Sequence, residues 1–160
     1  MANKKQPTDE PDRIRQNTIE MVNQRIDQSI NNNIRYYGSQ TKEIISKRIK
    51  ELDMLWDIDR IVQAGATGTS FTTLLMGAIG SKNWWFLTAT SLSFLGIYSV
   101  HGWAPSVCVL RSLGIRTRQE IEREKYALKA LRGDFDEIST HPDNENEKRA
   151  TAAIKATESL

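Results

Sequence analysis

A single cysteine, Cys108, leaves the chain without an intramolecular disulfide framework or a multi-cysteine zinc site, and two histidines, His101 and His141, supply no ligand cluster. No catalytic residue, cofactor-binding motif or metal site is therefore expected. The first 15 residues contain no apolar run, so a cleavable secretory signal is not expected. Charge of either sign is not in excess: 22 basic against 20 acidic side chains give +2 over 160 residues, a mixed surface that argues against nucleic acid as a partner. The sharpest scarcity is local. Between Arg60 and Arg111 lie 50 residues with one formal charge, Lys82, while the remaining 110 hold the other 41.

A gap of that length reads as a membrane-embedded hairpin rather than a soluble core. It divides at Gly80-Ser81-Lys82-Asn83, a cluster of turn-forming residues around the lone charge. The flanking segments, 61–79 and 84–102, are each long enough for one crossing at about 1.5 Å per residue. All four tryptophans fall at the segment ends: Trp56, Trp84, Trp85 and Trp103, where aromatic belts meet the headgroups. The spans are diluted by Thr and Ser, which bond back to helix carbonyls and are tolerated in lipid. Small residues four apart, Ala64 with Gly68, Thr73 with Gly77 and Ala89 with Ser93, permit close helix approach within a hairpin or between copies. Basic residues flank the spans, with Lys42, Lys47, Arg48, Lys50 and Arg60 before and Arg111, Arg116, Arg118, Arg123 and Lys125 after. Both termini are thus expected in the cytoplasm, with the turn outside.

Around the hairpin the pattern is helical. Residues 1–16, with Pro7 and Pro11, read as a flexible arm. Ile19, Val22, Ile26, Ile30 and Ile34 recur every three or four residues and predict an amphipathic helix ending at Gly38, with Asn17 and Glu20 as a capping box. A second helix follows with Ile45, Ile49, Leu52 and Trp56 on one face, completing an amphipathic pair over 17–56. Pro105 ends the second span. Thr117 and Glu120 cap a basic amphipathic helix over 118–133, stopped by Gly133, which either lies on anionic headgroups or packs on the preceding helices. Residues 134–160 read as a mobile tail. The Ile stripe is the expected surface for self-association or a protein partner.

Trp56-Asp57-Ile58-Asp59-Arg60, the Gly102-Trp103-Ala104-Pro105 turn and Leu113-Gly114-Ile115-Arg116-Thr117 together resemble the YgaP-like transmembrane domain, a bacterial inner-membrane family of unknown function. The resemblance covers 57–117 as the hairpin domain and implies a multi-pass protein of the bacterial cytoplasmic membrane. Some relatives carry a rhodanese domain, for which this chain has no room. The family often has Cys before the turn proline; Ala104 stands here, and Cys108 follows Pro105 by three positions, so a thiol role at that place is not expected. The fold class expected is all-α: a two-span transmembrane hairpin flanked by cytoplasmic amphipathic helices. The function expected is a non-enzymatic membrane module with the lipid bilayer and further copies of itself as partners. An oligomeric pore lined by Thr and Ser, and a soluble helical bundle, are the alternatives.

Overall fold

The computed structural model describes residues 12–136 and 146–158, and within them the chain is all-helical, with no strand. Eight helices follow one another among the described residues: α1 (Arg13–Gln16), α2 (Glu20–Gly38), α3 (Lys42–Met54), α4 (Ile58–Ile79), α5 (Trp84–His101), α6 (Pro105–Ser112), α7 (Arg118–Arg132) and α8 (Asn146–Glu158). They form two compact units, each built from two separate stretches of chain. The first takes residues up to Gln24 together with Trp56–Thr117; the second takes Arg25–Leu55 and the chain from Arg118 onward.

The first unit is organised by α4 and α5, which pack along one another as a hairpin. Asp57 starts α4, its carboxylate accepting from the Arg60 backbone N–H at 2.7 Å and satisfying one of the orphan donors of the first turn. Asp57 and Arg60 are therefore cap and capped, while the Arg60 guanidinium lies 5.6 Å from the Trp56 ring centroid. Gly102 ends α5 in the left-handed region (φ +67°), which only glycine adopts cheaply. The chain then turns by 81° into α6. Pro105 opens α6 at a position where its missing N–H costs nothing, so the proline begins a helix rather than ending one. Ile14, Ile58, Val62, Tyr98, Ala104 and Val107 form the core, with Phe94, Trp103, Leu110 and Ile115 packed on it.

Residues 13–16, expected as part of a flexible arm, form a helical turn capped by Asp12, whose carboxylate accepts from the N–H groups of Ile14 and Arg15. The reason is Ile14, 5 % exposed in the core. Residues 1–11 of the arm lie outside the described residues. Asn17 closes α1 instead of opening α2: its amide donates to the Arg13 carbonyl at 2.8 Å, so the expected box with Glu20 does not form there.

In the second unit α3 and α7 pack face to face through Ile45, Ile49, Leu52, Ile121 and Leu128, with Tyr37 at the edge. α7 ends as its sequence predicts: Gly133 has φ +91° and the Asp134 N–H reaches back to the Lys129 carbonyl at 3.1 Å. The expected mobile tail is in part helical. Residues 137–145 and 159–160 lie outside the described residues, but Asn146–Glu158 forms α8, with Ala152 and Ala156 buried.

Candidate functional site: an apolar hairpin with a polar seam

The helices α4 and α5 invert the usual arrangement of a soluble pair. Their contact carries the hydroxyls. Thr73 and Thr88, both buried, share a hydrogen bond of 2.8 Å between their Oγ1 atoms. The Ser91 hydroxyl donates to the Ala66 carbonyl at 3.0 Å, taking the acceptor that Ser70, one turn on, would ordinarily use, and the buried Ser70 Oγ has no hydrogen-bond partner among the described residues. At the end of the hairpin near α6, the Tyr98 hydroxyl donates to the Asp59 carboxylate. Gly77 lets the Trp85 indole approach: a Cβ there would stand 3.0 Å from Nε1.

The outside carries the apolar bulk. Phe71, Leu74, Leu75, Met76 and Ile79 of α4 are exposed, as are Trp85, Phe86, Leu87, Leu92, Ile97 and Val100 of α5. The exposed hydroxyls of Thr72, Thr90 and Ser99 donate to carbonyls four residues back in their own helices, at 2.8 to 2.9 Å. They present little unsatisfied polarity to the surroundings. Among the described residues no single helix is long and apolar enough to cross a membrane by its composition; α5 and α6 reach that level only together, as a pair bent by 81°.

The sequence-selected residues divide. Thr73 and Gly77 lie in the α4–α5 contact, whereas Ala64, Gly68, Ala89 and Ser93 are exposed, and a Cβ on Gly68 would meet nothing within 4 Å. The contact runs instead through Val62, Ala66, Ser70, Thr73 and Gly77, a track rotated from the expected one by about half a turn at Ala64 and Gly68. Trp56 and Trp85 are exposed, Trp84 is partly buried, and Trp103 packs on the core with its Nε1 sheltered and unpartnered. Of the Ile stripe, Ile26 and Ile30 are 4 % and 0 % exposed, Val22 and Ile34 are half-buried, and only Ile19 is open. The stripe is interior, which corrects its expected role as a docking face.

The same holds for α7, whose apolar side is spent on α3 and whose cations are matched. Arg118 pairs with Glu122 at 2.9 Å, Arg123 with Asp27 at 3.2 Å, Lys125 with Asp53, and Arg132 with Asp134. The Asp134 hydrogen bond keeps the Arg132 guanidinium above its ordinary value despite burial. Lys129, fully buried, donates to the carbonyls of Ala156 and Thr157 in the last turn of α8, where free carbonyls favour a cation. Burial and then the neighbouring Lys125 push its pKa down.

Two polar anchors escaped the sequence reading. Glu124, 0 % exposed, takes Arg48 Nε at 3.1 Å and Nη2 at 2.9 Å and also the Asn33 amide at 3.3 Å. Burial pushes the Arg48 pKa down, and the Glu124 hydrogen bond and charge outweigh it, leaving it raised. Arg111, 1 % exposed, donates to the Asn23 side chain at 2.7 Å, and Asn23 in turn donates to the Arg15 carbonyl. Tyr98 did offer a signal: a phenol in an otherwise charge-free helix needs a partner, and Asp59 is the carboxylate in the first turn of the opposing helix.

Chemically the seam is a set of hydroxyls bonded to hydroxyls and carbonyls, an arrangement that holds helices together. Among the described residues no group of His, Cys, Asp and Glu is placed to hold a metal ion. Cys108 is half-buried with its thiol 3.7 Å from the Asn17 carbonyl, and the His101 ring bonds the Ile97 carbonyl at 3.1 Å. No family model, curated protein or solved structure matches this chain.

Proposed function

We propose that the protein is a non-enzymatic membrane module, in which α4 and α5 cross a bilayer as a hairpin and anchor a helical unit on the cytoplasmic side. The observation that carries the proposal is the polar seam of the hairpin, with Ser70, Thr73, Thr88 and Ser91 turned into the α4–α5 contact and eleven large apolar side chains outside over a stretch with one charge. In water those side chains would form an apolar surface of a size that soluble monomers avoid. In lipid they have a solvent, and the buried hydroxyls become interhelical hydrogen bonds where no other partner is at hand. Lengths agree. At about 1.5 Å per residue α4 and α5 extend roughly 33 and 27 Å, against a hydrocarbon thickness of about 30 Å. Part of the low hydropathy of each helix taken singly comes from the seam, which faces the partner helix, and part from exposed residues such as Thr72, Thr90 and Ser99, whose hydroxyls bond carbonyls of their own helices.

Two further features support the reading. The 81° bend at Gly102 would lay α6 along the headgroups with Trp103 at the corner, and Val109 and Leu113 are exposed on it. The exposed Ala64, Gly68, Ala89 and Ser93 leave room for a second hairpin, so a homo-oligomer belongs to the proposal. The family resemblance of residues 57–117 and the inner-membrane location with cytoplasmic termini belong to it as well.

Fractionation of expressing cells with an alkaline carbonate wash tests the reading. Retention in the membrane pellet is expected, and recovery in the supernatant without detergent would overturn it. Crosslinking in detergent tests self-association: Gly68→Leu with Ser93→Leu should abolish the crosslinked species, and an unchanged ladder would remove those residues from the interface.

A further inference from the structure

One side of the α4–α5 hairpin is filled near the turn and open toward the other end. Gln63, Ser70 and Gly77 are spaced seven apart and share a side of α4, while Trp85, Ala89, Leu92 and Gly96 share a side of α5. The approach of the Trp85 indole to Gly77 shows that these two sides adjoin, and near the turn that indole occupies the furrow between them. Three turns further along α5 the furrow is empty of side chain: a Cβ on Gly96 would meet nothing within 4 Å. The bonds from Ser91 to Ala66 and from Tyr98 to Asp59 bracket Gly96 on one helix and Gln63 on the other, so the two residues stand at the same level.

Unspent polarity gathers on this side. The Ser70 Oγ, in a residue 8 % exposed, is without a partner among the described residues. Gln63 and Thr67 are exposed, and neither side chain makes a hydrogen bond among the described residues. A hydroxyl can turn to a carbonyl of its own helix, as those of Thr72, Thr90 and Ser99 do. The Gln63 carboxamide brings two N–H donors and an acceptor oxygen, more than its own helix turn can match. It stands about 7.5 Å along α4 from Ile58, within the apolar stretch.

We infer that a second copy of the hairpin covers this side, the Gln63 carboxamides of the two copies pairing with each other beside Gly96. The inference rests on the membrane reading and its self-association, and it names the contact. Copies inserted in the same direction are related by an axis along the bilayer normal, so residues of equal depth meet. A carboxamide both donates and accepts, and two of them at one depth close a reciprocal pair of hydrogen bonds that lipid tails cannot offer. Ala89 and Gly96 let the backbones come close enough for it. Gly68 lies about 140° around α4 from Gln63, and Leu75 about 120°, so neither belongs to this contact.

The test gives the full chain, carrying Cys108→Ser, one thiol at a time at Gln63→Cys, Gly68→Cys or Leu75→Cys, and oxidises isolated membranes with copper phenanthroline. A disulfide-linked dimer is expected from Gln63→Cys and not from the other two, and Gly96→Leu, whose Cβ meets nothing in its own hairpin, should suppress it. In detergent, Gln63→Leu should raise the dissociation constant of the dimer roughly eightfold, from two bonds each contributing about threefold. Crosslinking through Gly68→Cys with none through Gln63→Cys would refute the pairing and leave the self-association. An adduct of Gln63→Cys with another protein, and none between copies, refutes it in favour of a different partner. A dissociation constant unmoved by Gln63→Leu refutes it by showing that the carboxamide is satisfied at the headgroups. Release of the parent from the same membranes by carbonate would sink the hairpin reading and this pairing together, whereas each of the other failures leaves the hairpin in place.

Discussion

Replacing Arg48 by Met should destabilise the second unit far more than the loss of an ordinary ion pair. The pair with Glu124 is desolvated on both sides, with the Arg48 side chain 17 % exposed and Glu124 0 %, so the small values measured for surface pairs do not apply. Removing the guanidinium takes the Arg48 charge from a buried carboxylate and leaves it the neutral Asn33 amide in its place, at a cost of about 3–5 kcal/mol. Loss of the stacking on Tyr37, 5.3 Å from the ring centroid, adds about 0.5–1 kcal/mol. Arg48→Lys keeps a charge but not the two-pronged donation and should fall between, at roughly 1–2 kcal/mol. The decisive variant is the double substitution Arg48→Met with Glu124→Leu, which removes both charges and refills the space. It should return to within about 1 kcal/mol of the parent, because the desolvation of the two ions disappears with their attraction. Hydrogen exchange of the α3 and α7 amides, followed by mass spectrometry on the full chain in detergent, reads these changes locally without requiring the whole molecule to unfold in one step. A single substitution costing less than about 1 kcal/mol, or a double variant no better than the sum of the singles, would refute the reasoning.

Three other perturbations follow from the geometry. Gly77→Ala introduces a Cβ 3.0 Å from the Trp85 indole, which should swing the ring outward and shift its fluorescence in detergent; an unchanged spectrum would mean the hairpin absorbs the methyl elsewhere. Asp57→Ala removes the cap of α4 and should cost about 1 kcal/mol, read as faster exchange of the Ile61 amide and its neighbours, with Asp57→Asn largely restoring protection. Lys129 has a native pKa below that of the unfolded chain, so its charged form opposes folding at neutral pH and that opposition fades as pH rises through the native value toward 10.5. The parent should therefore gain thermal stability relative to Lys129→Met across that interval, and parallel pH profiles would refute the role of its charge.

The helices were legible because their apolar spacing, glycine stops and turn cluster are local signals. α4 and α5 begin and end within a few residues of the expected spans, and Gly133 closes α7 as expected. What was not legible depends on partners far along the chain. The Ile stripe has the same period whether its face meets a second molecule or its own fold, and only the burial of Ile26 and Ile30 decides. The cations of α7 look free in sequence because Asp27 and Asp53 lie 96 and 72 positions away from Arg123 and Lys125. The α4–α5 contact runs on the other side of α4 from Ala64 and Gly68, because small size permits close approach to a hairpin partner or to a second copy alike and hydroxyl pairing selects between them. Thr73, Thr88 and Ser91 fall into one seam once each hydroxyl is asked for its acceptor. α1 and α6 were missed because four and eight residues carry too little periodicity.

The interleaving of the two units has a consequence for synthesis. Residues up to Gln24 are synthesised before the groups that receive them: Arg13 donates to the His101 carbonyl at 3.1 Å, and Asp12 accepts from the Thr117 hydroxyl at 2.8 Å. The leading segment must wait through the making of nearly the whole first unit before it can settle, and Ile14 waits with it. A fragment spanning only 56–117 would keep the hairpin and leave a hole where Ile14 belongs, so the natural dissection point of this protein is not a single peptide bond.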